Sequence, residues 1–142
     1  MGTSRLPTPL GREGETPPMP YAIYKLIHLL GIFALLVALA GMSAHAAAGH
    51  GKDENPSYRT LLLLHGVGAL LALTGGFGLL ARIGMGTGSM LPGWIWAKLV
   101  LWVLLGGLVA VPYRNRAFAR ALLVILPLLG LLGAALANYK PF

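Results

Sequence analysis

The chain has 142 residues, of which 56% are hydrophobic and only 11% charged, with a formal net charge of +7. A water-soluble domain carries roughly 25% charged residues, so this chain has too few to cover a solvated surface, and its mean hydropathy of +0.73 places it in a bilayer. Cysteine is absent, which excludes disulfides, thiolate metal sites and cysteine nucleophiles.

In chain order, residues 1–20 are polar and rich in Pro, Gly and Thr, without apolar periodicity, and read as a disordered extension. Met19, directly before the first apolar run, is an alternative start. A membrane domain over 21–142 follows. Its apolar runs predict helices over 21–42, 60–83, 93–111 and 118–138, each near the roughly 20 residues that cross ~30 Å of hydrocarbon. The fourth apolar run, Ala121 to Ala137, is the shortest and is expected to thin the bilayer or borrow from its flanks. No stretch alternates as a membrane barrel strand does, so helix is the expected state. A rival reading takes Lys25, the apolar run to Gly41 and Ala44-His45-Ala46 as a secretory signal, whose cleavage leaves three helices.

The predicted connections are short: Ser43 to Arg59, Gly84 to Pro92 and Pro112 to Arg120. Short connections make successive helices antiparallel. The fold class is therefore all-α, an integral membrane up-down bundle of four transmembrane helices. Gly84-Met85-Gly86-Thr87-Gly88 lacks the Lys-Ser/Thr pair of a phosphate loop and reads as a turn. Arg114, Arg116 and Arg120, with Lys52 and Arg59, lie on one side; Arg82 and Lys140, with Arg5 and Arg12, lie on the other. By the positive-inside rule this places both termini outside the cytoplasm. The basic balance reads as anchoring to anionic headgroups, with the lipid bilayer as partner and no nucleic acid.

Ionisable residues inside a membrane helix are costly and call for a functional hypothesis. Here they are Lys25, His28, His65 and Lys98. At ~1.5 Å per residue, His28 lies roughly 10 Å below one face and Lys98 roughly 8 Å below the same face, so the two can meet if the first and third helices touch. Lys25 is shallow and expected to snorkel. His65 enters from the opposite face, offset from His28 by on the order of 10 Å given a ~30 Å core, which disfavours a haem bridged by both histidines. Ligation of haem b by one of them stays open. The competing reading makes each histidine a hydrogen-bonded packing residue, and Lys98 a snorkelling residue beside Trp94 and Trp96. His45 and His50, in the first predicted loop with Asp53 and Glu54, match no metal-ligand spacing, so no metal site is expected.

Small residues describe packing. The second helix has Gly66, Gly68, Gly75, Gly76 and Gly78; the fourth pairs Gly130 with Ala134 and Gly133 with Ala137. Such faces let lipid-embedded helices approach closely and suggest a homo- or hetero-oligomer. Pro127 is expected to kink the fourth helix.

Tyr24-Lys25-Leu26-Ile27-His28 at the start of the first helix and Gly93-Trp94-Ile95-Trp96-Ala97-Lys98-Leu99 at the start of the third resemble the corresponding openings of the HemJ, CopD and SirB-like superfamily of small bacterial membrane proteins. That resemblance implies a bacterial inner (cytoplasmic) membrane location, a functional pair of His28 and Lys98, and haem or tetrapyrrole binding through His28. Met42 to Ala48 holds no arginine, where HemJ proteins carry one, so the resemblance implies superfamily placement more than porphyrinogen oxidation. His65 is more reminiscent of the SirB-like branch.

Three functions compete on this sequence. A structural or accessory subunit of a membrane assembly, such as one for electron transfer, accounts for the glycine faces and for apolar runs without Asp or Glu. A tetrapyrrole-binding membrane oxidoreductase would use His28 and Lys98. A transporter would need an oligomer, and the lack of embedded carboxylates argues against proton coupling.

Overall fold

The computed structural model describes residues 20–85 and 91–141. Most of the 1–20 extension and of the Gly84–Gly88 turn lies outside them. The described residues form four helices: α1 (Tyr21–Ala47), α2 (Tyr58–Arg82), α3 (Gly93–Gly107) and α4 (Arg116–Tyr139). Short 3₁₀ turns at Lys52–Glu54 and Leu108–Ala110 precede α2 and extend α3. Counting that extension, all four are long and apolar enough to cross a membrane.

Contacts between neighbours run in opposite directions along the chain. On α1 and α2, Tyr24 meets Gly78, His28 meets Gly75, Gly31 meets Ala72, Leu35 meets Gly68 and Gly41 meets Leu61. On α2 and α3, His65 meets Leu105 and Ala69 meets Trp102. On α3 and α4, Leu101 meets Gly133 and Trp94 meets Lys140. The bundle is therefore up-down. Its terminal face gathers Tyr21, Arg82, Gly93 and Tyr139, and its loop face gathers Ala47, Tyr58, Ala110 and Arg116.

Several helix boundaries differ from expectation. α1 continues five residues past Met42, because Ser43-Ala44-His45-Ala46-Ala47 is alanine-rich and favours helix. His45 is thus helical rather than part of a loop, and Ala44-His45-Ala46 lies within α1 with Ala46 buried. The chain turns away from α1 at Gly49, whose φ of +100° is a left-handed conformation that side-chain-bearing residues avoid. α4 begins at Arg116, where the Asn115 carboxamide oxygen accepts from Phe118 N–H at 3.0 Å and caps the helix. That basic first turn lengthens α4 to 24 residues, about 36 Å, so the short apolar run borrows from its flanks and is long enough to cross ~30 Å of hydrocarbon. The shortest span is α3 with its 3₁₀ extension, 18 residues, because Pro112 follows directly. α4 runs through Pro127 as one helix.

The core joins Leu35, Ala38, Leu39 and Met42 of α1 to Leu101 and Leu105 of α3 and Leu122 and Leu126 of α4. α1 is its centre. The large apolar residues outside it, including Leu30, Phe33, Leu63, Leu70, Val103, Val124 and Leu131, are exposed and face hydrocarbon.

α1 and α2 touch through their backbones. A Cβ built on Gly75 would lie 2.5 Å from His28 N and 2.8 Å from its Cα; one on Gly68 would lie 2.7 Å from Leu35 N; one on Gly31 would collide with Ala72 N. Gly68, Ala72 and Gly75 share one helical face, and Gly31 opposes it. Gly66, by contrast, has open space beyond it and faces outward. The α4 glycines act differently. A Cβ on Gly130 would lie 3.3 Å from Leu36 Cδ1 and one on Gly133 3.2 Å from Leu101 Cδ2, so these glycines seat side chains rather than bring backbones together.

Gly75→Ala is expected to lower stability by about 1–3 kcal/mol, the usual range for overpacking. Gly66→Ala should leave it unchanged or higher, since alanine favours helix and meets nothing there. Unfolding of detergent-solubilised protein followed by far-ultraviolet circular dichroism separates the two.

Candidate functional site

The polar side chains inside the helices fall at two levels. The deeper level lies between α2 and α3. His65 is 6% exposed, and its Nε2–H donates to the Leu105 carbonyl at 3.2 Å. One turn along α2, the Trp102 indole N–H donates to the Ala69 carbonyl at 3.0 Å. A helical carbonyl keeps a second lone pair after its own helix bond, so each contact adds a bond without breaking the helix. Sequence reasoning singled out His65 but missed Trp102. Its position eight residues beyond Trp94, mid-run rather than at an end of the apolar segment, set it apart from Trp94 and Trp96 but named no partner.

The second level lies nearer the terminal face. His28 Nδ1–H donates to the Ala72 carbonyl at 2.5 Å. Its ring rests on the glycine face, with Cε1 and Nδ1 3.3 Å from where a Cβ of Gly76 would sit. His65 is seven residues from Ala72 along α2, about 10 Å at 1.5 Å per residue, so the two histidines sit at different depths. The α2–α3 register set by Trp102 and His65 puts Lys98 about level with Leu73, close to the level of His28. The two side chains nonetheless serve different partners. Lys98 extends toward the start of α3, with Nζ over the Trp94 ring at 5.1 Å. No hydrogen bond joins it to His28 among the described residues. α1 and α3 meet mainly through leucine side chains of the core.

A tetrapyrrole has one requirement that this geometry meets. A ligating histidine donates its other ring N–H to a carbonyl or carboxylate, as His28 Nδ1 does, which leaves Nε2 without a hydrogen bond among the described residues. Space is a second requirement. An apolar groove runs along α3, past Trp96, Val100, Val103, Leu104 and Gly107, and it includes neither His28 nor His65. Among the described residues no three His, Asp or Glu side chains converge as metal ligands.

The loop face carries a polar network. Asn55 Nδ2 donates to the Tyr113 hydroxyl at 2.7 Å, and that hydroxyl is 3.4 Å from His45 Nδ1, to which it donates. The Asn55 side-chain oxygen accepts from Ser57 N–H at 2.9 Å, and Tyr58 stacks edge-on against Tyr113 at 5.8 Å. His50 packs against His45, with ring centroids 5.0 Å apart. Arg120 Nε donates to the Ala47 carbonyl at 3.4 Å, which ties α4 to the end of α1. The network joins the first loop to the turn before α4 and accounts for the buried Asn55. Ser43, also buried, has no partner for its hydroxyl among the described residues.

Glu54 closes the 3₁₀ turn by accepting from Gly51 N–H. That bond holds its carboxyl below the usual carboxylate range, helped by His50, His45 and Arg116. A lowered carboxyl contributes to order above its unfolded pKa and loses that contribution as pH falls through the folded pKa. The Gly51 amide resonance should therefore titrate with a midpoint below the ordinary 4.5, and Glu54→Gln should abolish the titration.

Compared with protein-family models, with curated proteins and with solved structures, the chain matches none.

Removing the α2–α3 bonds tests whether they hold the bundle. Trp102→Phe should cost about 0.6 kcal/mol, the average for single hydrogen bonds between membrane helices, and at most about 1.7 kcal/mol. His65→Phe should cost at least as much, because it also forces a larger ring into a buried site. Both are read from the sodium dodecyl sulfate midpoint of unfolding in mixed micelles.

Proposed function

We propose that this chain is a structural or accessory subunit of a bacterial inner-membrane assembly, of the kind that carries electron transfer, with both termini outside the cytoplasm. One observation carries the reading: His28 and His65, the histidines deep in the membrane helices, are engaged in holding helices together. His28 bonds the α2 backbone and His65 the α3 backbone, while Lys98 lies over its own helix's Trp94. No Asp or Glu occurs within α1, α2, α3 or α4, so the helices bring no carboxylate for acid–base or proton-coupled work. α3, joined to α2 by a few polar bonds, presents an open apolar groove toward lipid, with nothing within 4 Å of a Cβ at Gly107. Oligomeric transport has less support, since the helices offer no polar channel lining.

The orientation of His28 favours a second reading, a tetrapyrrole-binding membrane oxidoreductase. His28 would hold haem b through Nε2, with Lys98 available to a propionate at a similar depth. A bound haem would supply one-electron chemistry; the chain's part would be to fix the imidazole through Ala72. The contact of the ring's Nδ1–Cε1 edge with Gly76 leaves a macrocycle little room on that edge, which ranks this reading second.

An absorption spectrum decides between them. Protein expressed with added haem and purified in mild detergent should lack a Soret band, while migrating in native gels with a stoichiometric partner that a bulky Gly107→Trp substitution displaces. A Soret band that disappears in His28→Ala, with helical content intact, would replace the subunit reading with the second.

A further inference from the structure

The terminal face holds a cluster of which the readings above use only Lys98. Lys98, five residues into α3, and Lys140, just past the end of α4, both reach the ring of Trp94, at 5.1 Å and 5.7 Å from its centroid. Trp94 itself is 7% exposed, so the ring is a fixed platform rather than a mobile surface group. Lys140 reaches it through a left-handed backbone, φ 44° and ψ 58°, the only positive φ outside glycine among the described residues. A side-chain-bearing residue adopts that conformation at a cost of about 1 kcal/mol or more. The fold thus brings two ammonium groups from different helices to one indole, although like charges repel.

Nothing among the described residues neutralises them. Both described acidic residues, Asp53 and Glu54, lie in the first loop on the opposite face, while Lys25 and Arg82 add further positive charge to the terminal face. α3 starts beside the cluster with no side-chain cap on its first turn, so its amide end adds positive potential. The position is right for a lipid phosphate: indole rings and snorkelling lysines mark the headgroup level.

The geometry points to an anion site at the junction of α3 and α4, in which Lys98 and Lys140, braced on Trp94, bind the phosphate of an anionic lipid headgroup. The shared chemistry is a phosphate monoanion or dianion held by two ammonium groups, and free phosphate would present the same oxygens. The site distinguishes this face from general basic anchoring, because it predicts one tightly held lipid rather than a diffuse preference.

Native mass spectrometry of the full chain released from nanodiscs containing equal phosphatidylglycerol and phosphatidylcholine tests it. The wild type should retain one phosphatidylglycerol. Retention should fall about fivefold for each lysine removed, from the roughly 1 kcal/mol each basic residue contributes near a charged surface, in Lys98→Gln, Lys140→Gln and the double variant. Lys98→Arg with Lys140→Arg should keep the lipid, which separates charge from fold. If millimolar inorganic phosphate strips the lipid from the wild type, and the double Gln variant takes up no phosphate, the site holds free phosphate by the same two lysines and the chemistry stands. Equal retention by the double Gln variant, or an equal loss from Lys52→Gln with Arg114→Gln on the loop face, overturns the assignment.

Discussion

Where α1 crosses α2, the two backbones come into direct contact, and most of the bundle's geometry follows from that. In hydrocarbon no hydrophobic force draws helices together, since lipid tails are as apolar as leucine. Association rests on close van der Waals packing and on the few hydrogen bonds that can form between helices. Gly31, Gly68 and Gly75 permit the first, because any side chain at these positions would meet main-chain atoms of the other helix. The same closeness produces the second. Because Gly75 lets the His28 backbone settle against α2, the imidazole reaches the Ala72 carbonyl. The tight pair then offers Leu35, Leu39 and Met42 to the other helices, and α4 closes over them with Leu122 and Leu126.

α3 is held in a different way. It has no glycine face against α2, and its own Gly106 and Gly107 meet nothing within 4 Å. Two side-chain bonds, from His65 and Trp102, take the place of backbone contact. Such bonds are worth fractions of a kcal/mol to about 2 kcal/mol in membranes, less than continuous packing along a helix. The result is a tight α1–α2–α4 unit with a more loosely attached third helix that carries the apolar groove.

The four spans were legible because length and charge poverty are properties of composition along the chain, and a bilayer tolerates few alternatives to helix. Their ends were less so. Ser43 to Ala47 contains polar residues and so reads as a loop, yet alanine propensity carries α1 through it; the basic Arg116–Arg120 turn hid the start of α4 in the same way. Glycine count could not distinguish Gly68, which faces α1, from Gly66, two residues away on the opposite side of the helix. The seven-residue spacing of Gly68, Ala72 and Gly75 contains that distinction, but only once a partner face such as Gly31 is known. Of the polar residues, depth could be counted from the helix starts. The hydrogen-bond partner could not, because Ala72, Ala69 and Leu105 contribute carbonyls that every residue has. Trp102 escaped notice for that reason: an indole bonded to a backbone leaves no pattern in side-chain identity.

His28 shows how one contact can support two functions unequally. A Nδ1–H bond to a carbonyl is what a helix clamp needs and equally what a haem-ligating imidazole needs, so the bond by itself does not discriminate. The surroundings do. A ligand needs an open approach to Nε2 for a flat macrocycle, whereas a clamp needs the ring packed against the partner helix. The ring of His28 lies against Gly76, while Gly75 takes its backbone and Cβ, on the strip of α2 that is narrow enough to admit it, and an apolar groove runs along α3, away from it. Packing on that side is what the tight α1–α2 contact produces, and it gives the subunit reading the firmer physical footing.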